Sequence, residues 1–533
     1  MWHPLAVISQ EYNKEVDKDT MGKESKLKNN IVQTAFLMAL LTLGSKALGF
    51  LREMAMATFF GANYVVDAYV MSQAVPGILF AALFAAIATA YMPLLSERIE
   101  KEGESAGDIL TSQIIRILLV FSAAVSIFGI VFSDGMVSIF APGFTGETAA
   151  LTSFFLKVTF SYVIFSSITG ILDNFLQYKS TFIPQILVGY GQNIILISVI
   201  VISAYTTYYF LAFGMLIAYV VRFIITSFLA KSRGFKYSRS GKNLKETIKK
   251  ISILGIPVFI GSGMGQINLF VDKALASGLP EGSIAALNYA GILNGLIMSL
   301  SISILTTIIY PRLARASAQD QLVHFSQIMQ KGLVLVIMIA LPFSLGAIIY
   351  SGDLVQIVFE RGAFDISATA LTAGAYLFYS AGLVFMAVND LMFRGYYALH
   401  DMKTPMIFAG IGVAVNITFN LLLIGSMAHQ GLALATSVAA MVNSILLVIG
   451  FRRKGKELNF LESPKKYGKI VLAAFLAVGL SKGVHMLLVM TIWMPRMLYL
   501  GIAVFVAVCT YWLLLKAFKI EEIDLVKGLF KRG

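Results

Sequence analysis

Long apolar segments recur from one end of this chain to the other, and each approaches or exceeds the roughly 20 residues that a bilayer core requires. About fourteen are expected from length and hydropathy, near 31–60, 64–95, 109–133, 148–177, 183–204, 207–230, 248–278, 283–311, 331–351, 366–399, 404–426, 429–451, 468–490 and 496–518. With 58% hydrophobic and 13% charged residues over 533 positions, the chain lies far from a soluble domain. A β-barrel would show short alternating segments instead. The expected fold is an all-α polytopic membrane protein. A single cysteine, Cys509, sits inside an apolar segment and rules out disulfides and Cys-based metal sites. The five histidines have no ligand spacing.

The formal charge of +13 would suit nucleic acid, but its distribution does not. With the N-terminus inside, the basic runs KSRGFKYSRSGKNLKETIKK (231–250) and Arg452 to Lys469 fall in cytoplasmic connections. The external connections hold only Arg361 and Arg496. This is the positive-inside pattern, and an even number of spans puts the C-terminal KGLFKRG inside as well. The basic loops are read as topology determinants beside an anionic leaflet, with no nucleic acid as partner. Residues 1–30 are polar and lack the apolar core of a signal peptide. They are expected to form a cytoplasmic extension, with Met21 as a second plausible start.

The chain also repeats itself. ATAYMPLLSE around Pro93 matches TTIIYPRLAR around Pro311, and MVSIFAPGFTGETAALTSFF (136–155) matches LVQIVFERGAFDISATALTAG (354–374). IPQILVGYGQNIILI (183–197) matches TPMIFAGIGVAVNITFN (404–420). Two six-span units of even span number share one orientation, so they are parallel repeats about an axis along the membrane normal. The expected domains are the extension at 1–30, an N-terminal six-helix lobe at 31–247, a C-terminal six-helix lobe at 248–452, and two further helices with a tail at 453–533.

One stretch departs from its apolar surroundings. GSKALGFLREMAMATFFGANYVVD (44–67) carries Lys46, Arg52 and Glu53 within the first span and Asp67 at the start of the second. Ionisable groups at membrane depth are costly, and they face a protein interior or a water-filled path. The expectation is a cationic cavity lined by this segment. On a straight helix Lys46 and Arg52 lie about 120° apart, so a bend at Gly49 would be needed to bring both inward. The alternative is a structural pair, Lys46 with Glu53 or Arg52 with Asp67.

Several runs are specific enough to compare with known families. FERGAFDISATALTAGAYLFYSAGL (359–383), FRGYYALHDMKTPMIFAGIGVAVNITFNLLLIG (393–425) and GLALATSVAAMVNSILL (431–447) resemble the MurJ/MviN lipid II flippases of the multidrug/oligosaccharidyl-lipid/polysaccharide exporter superfamily. SKALGFLREMAMATFFGANYVVDAY (45–69) and LASGLPEGSIAALNYA (275–290) resemble further stretches of the same family. The resemblance implies an inner-membrane transporter, not an enzyme. Its cargo would be undecaprenyl-diphosphate-linked disaccharide-pentapeptide, moved to the outer leaflet for peptidoglycan synthesis by alternating access. A monomer with membrane lipids as its surroundings is expected. By the same resemblance, Arg52 matches a first-helix arginine and Asp67 its acidic partner. Lys46 stands where a second arginine is usual, keeping the charge without the bidentate fork. Lys157 matches a basic position. The chain lacks arginines usual in PGILFAALFAA after Pro76 and at Ile292, so its cationic cluster is thinner. The expected substrate-binding set is Lys46, Arg52, Asp67 and Lys157.

The C-terminal lobe offers different chemistry. Asp272 lies within the seventh span, Asn416 and Asn420 share a face of the eleventh at i, i+4, and Thr436 lies on the twelfth. One carboxylate with amide and hydroxyl oxygens suits Na⁺ or a proton relay. The resemblance adds the Leu432 carbonyl and no cofactor beyond such a coupling ion. The alternative is an interhelical hydrogen-bond cluster, with Asp272 paired to Lys273 or Arg394. Arg116 and Arg222 are expected to snorkel to the inner boundary. Asp173 and Asp390 are expected to be solvated at helix ends or to pair at a cytoplasmic gate. The last two spans, near 468–490 and 496–518, are expected to carry apolar faces suited to a lipid tail.

Other readings remain open at this point. A flippase for a different polyprenyl-diphosphate glycan and a drug or cation antiporter both use this fold, although an antiporter favours acidic and aromatic cavity residues. A membrane glycosyltransferase would need a carboxylate or metal constellation near the interface, and Asp353, Glu360 and Asp365 do not make one.

Overall fold

Uninterrupted runs of helix-forming apolar residues, punctuated by Gly, Pro and short polar turns, leave the backbone one way to satisfy its hydrogen bonds in lipid, which is within each helix. The computed structural model describes residues 21–240, 244–454, 464–491 and 493–523, with backbone alone for 21–36, 300 and 304. Residues 1–20 of the expected extension and the basic C-terminal run lie outside these.

The helices are α1 (Met21–Phe60), α2 (Tyr64–Glu102), α3 (Glu104–Val131), α4 (Ser133–Phe140), α5 (Gly146–Tyr178), α6 (Phe182–Tyr205), α7 (Phe210–Ser232) and α8 (Leu244–Ser277). They continue with α9 (Ser283–Ile297), a π-helical turn at Met298–Ile302, α10 (Ser303–Ala318), α11 (Leu322–Ile349), α12 (Ser351–Phe359), α13 (Ile366–Ala381) and α14 (Leu383–Ala398). The last are α15 (Lys403–Arg452), α16 (Pro464–Thr491) and α17 (Arg496–Ala517).

Every expected span is helical. Among the described residues ten helices are individually long and apolar enough to cross a membrane, or eleven when the pair α13–α14, bent by 45°, counts as one. That number is below the fourteen expected, partly because α15 counts once. Its 50 residues would extend roughly 75 Å if straight, more than twice a bilayer core, but the helix breaks at Ala428, where φ is 49°. The break falls at the 426/429 boundary read from the sequence. Pro93 and Pro311, the repeat-related prolines, both sit inside helices.

The chain divides into two units. The first comprises residues 1–55, 72–136 and 150–266, and the second comprises 56–71, 137–149 and 267–533. In the first, Tyr91, Leu95, Ile114, Leu172 and Phe175 are among the residues that form a buried core. In the second, the core runs from Ile302 and Phe325 through Met392 and Tyr396 to Phe451. Ile470 and Ala473 of α16 and Leu515 of α17 join it, so the last two helices pack onto the second unit.

Candidate functional site

Helix α1 is continuous through both glycines that bracket Lys46. Gly44 is there for a neighbour. A Cβ at that position would stand 2.0 Å from the Tyr190 hydroxyl, which donates to the Leu41 carbonyl at 2.7 Å. Lys46 is exposed, with no hydrogen bond or ion pair to any described residue. Six positions on, Arg52 is half-buried, and its Nη2 and Nε donate to Glu53 Oε1 at 2.5 and 3.1 Å. Glu53 therefore takes Arg52 and not Lys46. Lys157, on α5, is exposed and likewise unpaired among the described residues. The first unit thus presents two open ammonium groups and one guanidinium held by its neighbouring carboxylate.

Asp67 belongs to the second unit and has a different task. Its side chain is 3% exposed, and its two oxygens accept from the backbone N–H groups of Gly282 and Ala285, both at 2.7 Å. These are orphan donors at the start of α9, where the helix dipole also favours an anion. Gly282 makes the entry possible with φ at +85°. Asp67, expected beside a headgroup, is bonded at a helix terminus and organises it. Asn63 caps α2 itself by accepting from Val65 N and Val66 N.

The polar residues expected to form a cation site do come together. Asn420 Nδ2 donates to Asp272 Oδ1 at 2.5 Å and to Asn416 Oδ1 at 2.8 Å. Asn416 Nδ2 donates to Thr436 Oγ1 at 3.3 Å, and that hydroxyl donates to the Leu432 carbonyl at 3.1 Å. The sequence reading missed one member, Asn268, whose Nδ2 donates to Asp272 Oδ2 at 3.2 Å. Its i, i+4 spacing from Asp272 on α8 was the available signal. Neither Lys273 nor Arg394 bonds Asp272. Arg394 Nε donates to Asp390 at 3.4 Å, and Thr306 Oγ1 donates to the same carboxylate at 2.5 Å.

The cluster fits a monovalent cation in its charge. It has one carboxylate, and among the described residues no three His, Cys, Asp or Glu converge elsewhere to hold a metal. Asn420 Oδ1 is buried without a hydrogen-bond partner, which in an apolar interior is costly unless something positive or a water meets it. The amides of Asn268 and Asn420 present nitrogen to Asp272 here, and half a turn of either presents oxygen instead. With its amide turned over, Asn416 itself places nitrogen 3.0 Å from Asp272 Oδ1 and accepts from Thr436 N at 3.2 Å.

Two further expectations are corrected. Arg222 does not snorkel. Its Nη2 donates to Asp173 at 2.9 Å and its Nη1 to Gln192 Oε1 at 2.7 Å, joining α5, α6 and α7 inside the first unit. Asp173 is accordingly paired. Arg116 donates to the carbonyls of Arg239 and Ser240 at 3.0 and 2.5 Å, tying the basic connection after α7 to α3.

Known proteins share this chain's sequence and fold. A family model described as lipid II flippase MurJ matches residues 56–520. A probable lipid II flippase MurJ of Rhizobium tropici is 28% identical over 425 residues, covering 78% of this chain and 79% of its own. The lipid II flippase MurJ of Burkholderia cenocepacia is 26% identical over 443 residues, covering 80% and 84%. Among solved structures, lipid II flippase MurJ in an inward closed conformation gives a TM-score of 0.78 at 24% identity, over 92% of this chain and all of that one. An inward-facing multidrug resistance transporter of the MATE family gives 0.67 at 13% identity, over 80% of this chain and all of that one. The two structural likenesses show the fold.

Proposed function

This chain belongs to the lipid II flippase MurJ family, and from that premise we propose that it moves lipid II from the cytoplasmic to the outer leaflet of the inner membrane by alternating access. The observation that carries this reading is the family match over residues 56–520. The open cations of the first unit support it. A diphosphate brings several acceptor oxygens and more than one negative charge, and cations in a low-dielectric setting attract it strongly. Lys46 and Lys157 have their donors available. Arg52 supplies the planar fork, and an arriving diphosphate competes with Glu53 for it. Asp67 acts as a positioning residue through the start of α9.

The Asp272 cluster is the seat of the coupling cation in this proposal. Asp272, Asn268, Asn416, Asn420, Thr436 and the Leu432 carbonyl would hold Na⁺, with a proton on Asp272 as the alternative form of the same coupling. The repeats at 31–247 and 248–452 act as the two working lobes of a monomer, with both termini cytoplasmic. The test is replacement of the resident flippase in a depletion strain, read as lipid II exposed on the outer face. Restored exposure and growth are expected. Correct membrane insertion with no restored exposure would overturn the reading in favour of another polyprenyl-diphosphate glycan.

A further inference from the structure

One charged side chain near the C-terminal end of α8 takes no part in the contacts above. Lys273 is half-buried and forms no hydrogen bond or ion pair with any described residue, yet it lies within electrostatic reach of both Asp67 and Asp272. An ammonium has three N–H donors, and holding it away from water without a bonded acceptor is unfavourable. Neither carboxylate is free to claim it. Asp67 is filled by the Gly282 and Ala285 amides, and Asp272 by Asn268 and Asn420.

We propose that Lys273 is a tethered ammonium that sets the affinity of the Asp272 cluster for a monovalent cation. The proposal rests on the cation-site reading above and adds the residue that regulates it. The charge balance motivates it. Asp272 is the one carboxylate of the cluster, and the neighbouring ammonium offsets its charge, so the site favours a cation of single charge. The ammonium repels any cation approaching Asp272, and its four-carbon stem lets it shift toward Asp67 as one arrives. Filling the cluster then strengthens the field at the carboxylate that caps α9, so the cation and the start of that helix are linked through one side chain.

The test uses purified full-length protein, with Na⁺ binding read as the shift in thermal unfolding when NaCl replaces choline chloride at constant ionic strength. Lys273→Met removes the positive charge next in sequence to Asp272 and within its electrostatic reach. Na⁺ affinity is expected to rise on the order of 10-fold or more. Lys273→Gln gives the same result should the methionine variant fail to fold. Lys273→Arg stays near the parent protein, and Asp272→Asn abolishes the response. Equal affinity in the parent and both neutral variants, with Asp272→Asn still abolishing it, overturns the role of Lys273 and leaves the cation site standing. Absence of a Na⁺ response in every folded variant overturns the cation site and this proposal with it.

Discussion

In the first unit Lys46 and Lys157 stand exposed on α1 and α5, unbonded among the described residues. In the second unit Asp272 is surrounded by amide groups from α8 and α15, and Asn416 and Asn420 are 2% and 0% exposed. The contrast is one of charge sign and of readiness. Open ammonium groups recruit an anion from outside without prior rearrangement. A carboxylate already satisfied by amides binds a cation only when those amides turn, which makes occupancy selective and slow to arise by accident. A transporter that handles a diphosphate and a small cation needs both kinds of site. Under the proposed function, the first unit supplies one and the second unit the other.

A second contrast lies at Asp173 and Asp390, which occupy matching places in the sequence repeat. Asp173 is held by Arg222 from another helix and bridges α5 to α7. Asp390 is held by Arg394 on its own helix and by Thr306. The ionic partner of Asp173 lies on another helix, whereas Asp390 reaches across to α10 only through the neutral Thr306 hydroxyl.

Several substitutions test this contrast. The largest effect is expected at Arg52→Ala, which should lower lipid II export roughly 10- to 100-fold while protein level stays normal. Export in a depletion strain measures it, and full activity would remove the first unit's claim on the anion. Asp67→Ala leaves two helix-start amides unsatisfied and is expected to cost about 3 kcal/mol of stability, seen as a lower unfolding temperature. Breaking the Arg222–Asp173 pair from either side should destabilise the first unit, with a double-mutant coupling of about 1–2 kcal/mol. The equivalent cycle on Asp390 and Arg394 should give less, since theirs is a single 3.4 Å contact between i, i+4 neighbours on one helix, worth a few tenths of a kcal/mol. Equal couplings would erase the asymmetry. The smallest effect concerns Asp401, in the turn before α15. Burial works against its charge, but bonds from Lys454 and from the side chain and backbone of Thr404 outweigh this and hold its carboxyl at about 2. The folded value lies below the unfolded one, so its contribution is full at neutral pH. That contribution should fade as pH falls from about 4 toward 2, and Asp401→Asn should flatten this part of the stability profile.

Much of this was legible in the sequence because hydropathy reports helices directly. The helical spans and the turn at 426/429 follow from where apolar runs stop. The Asp272 cluster was legible for a related reason, since polar residues in apolar helices have few places to go. Partners were harder to read. Asp67 meets a backbone amide 215 residues away, and backbone donors carry no side-chain signature. Arg222 looked like a boundary residue because its distance to the helix end was visible and Asp173, 49 positions earlier, was not. Gly44 has no side chain to signal its role, which is to admit Tyr190.

The most direct test of the division of labour is lipid II binding by the purified full-length protein. It compares the triple variant Lys46→Ala, Arg52→Ala, Lys157→Ala with Asp272→Asn. The triple variant should lose at least about tenfold in affinity, given the strength of charge-assisted bonds to a diphosphate, and Asp272→Asn should bind as the parent does. Undiminished binding by the triple variant, or an equal loss in Asp272→Asn, would contradict the assignment of the anionic headgroup to the first unit.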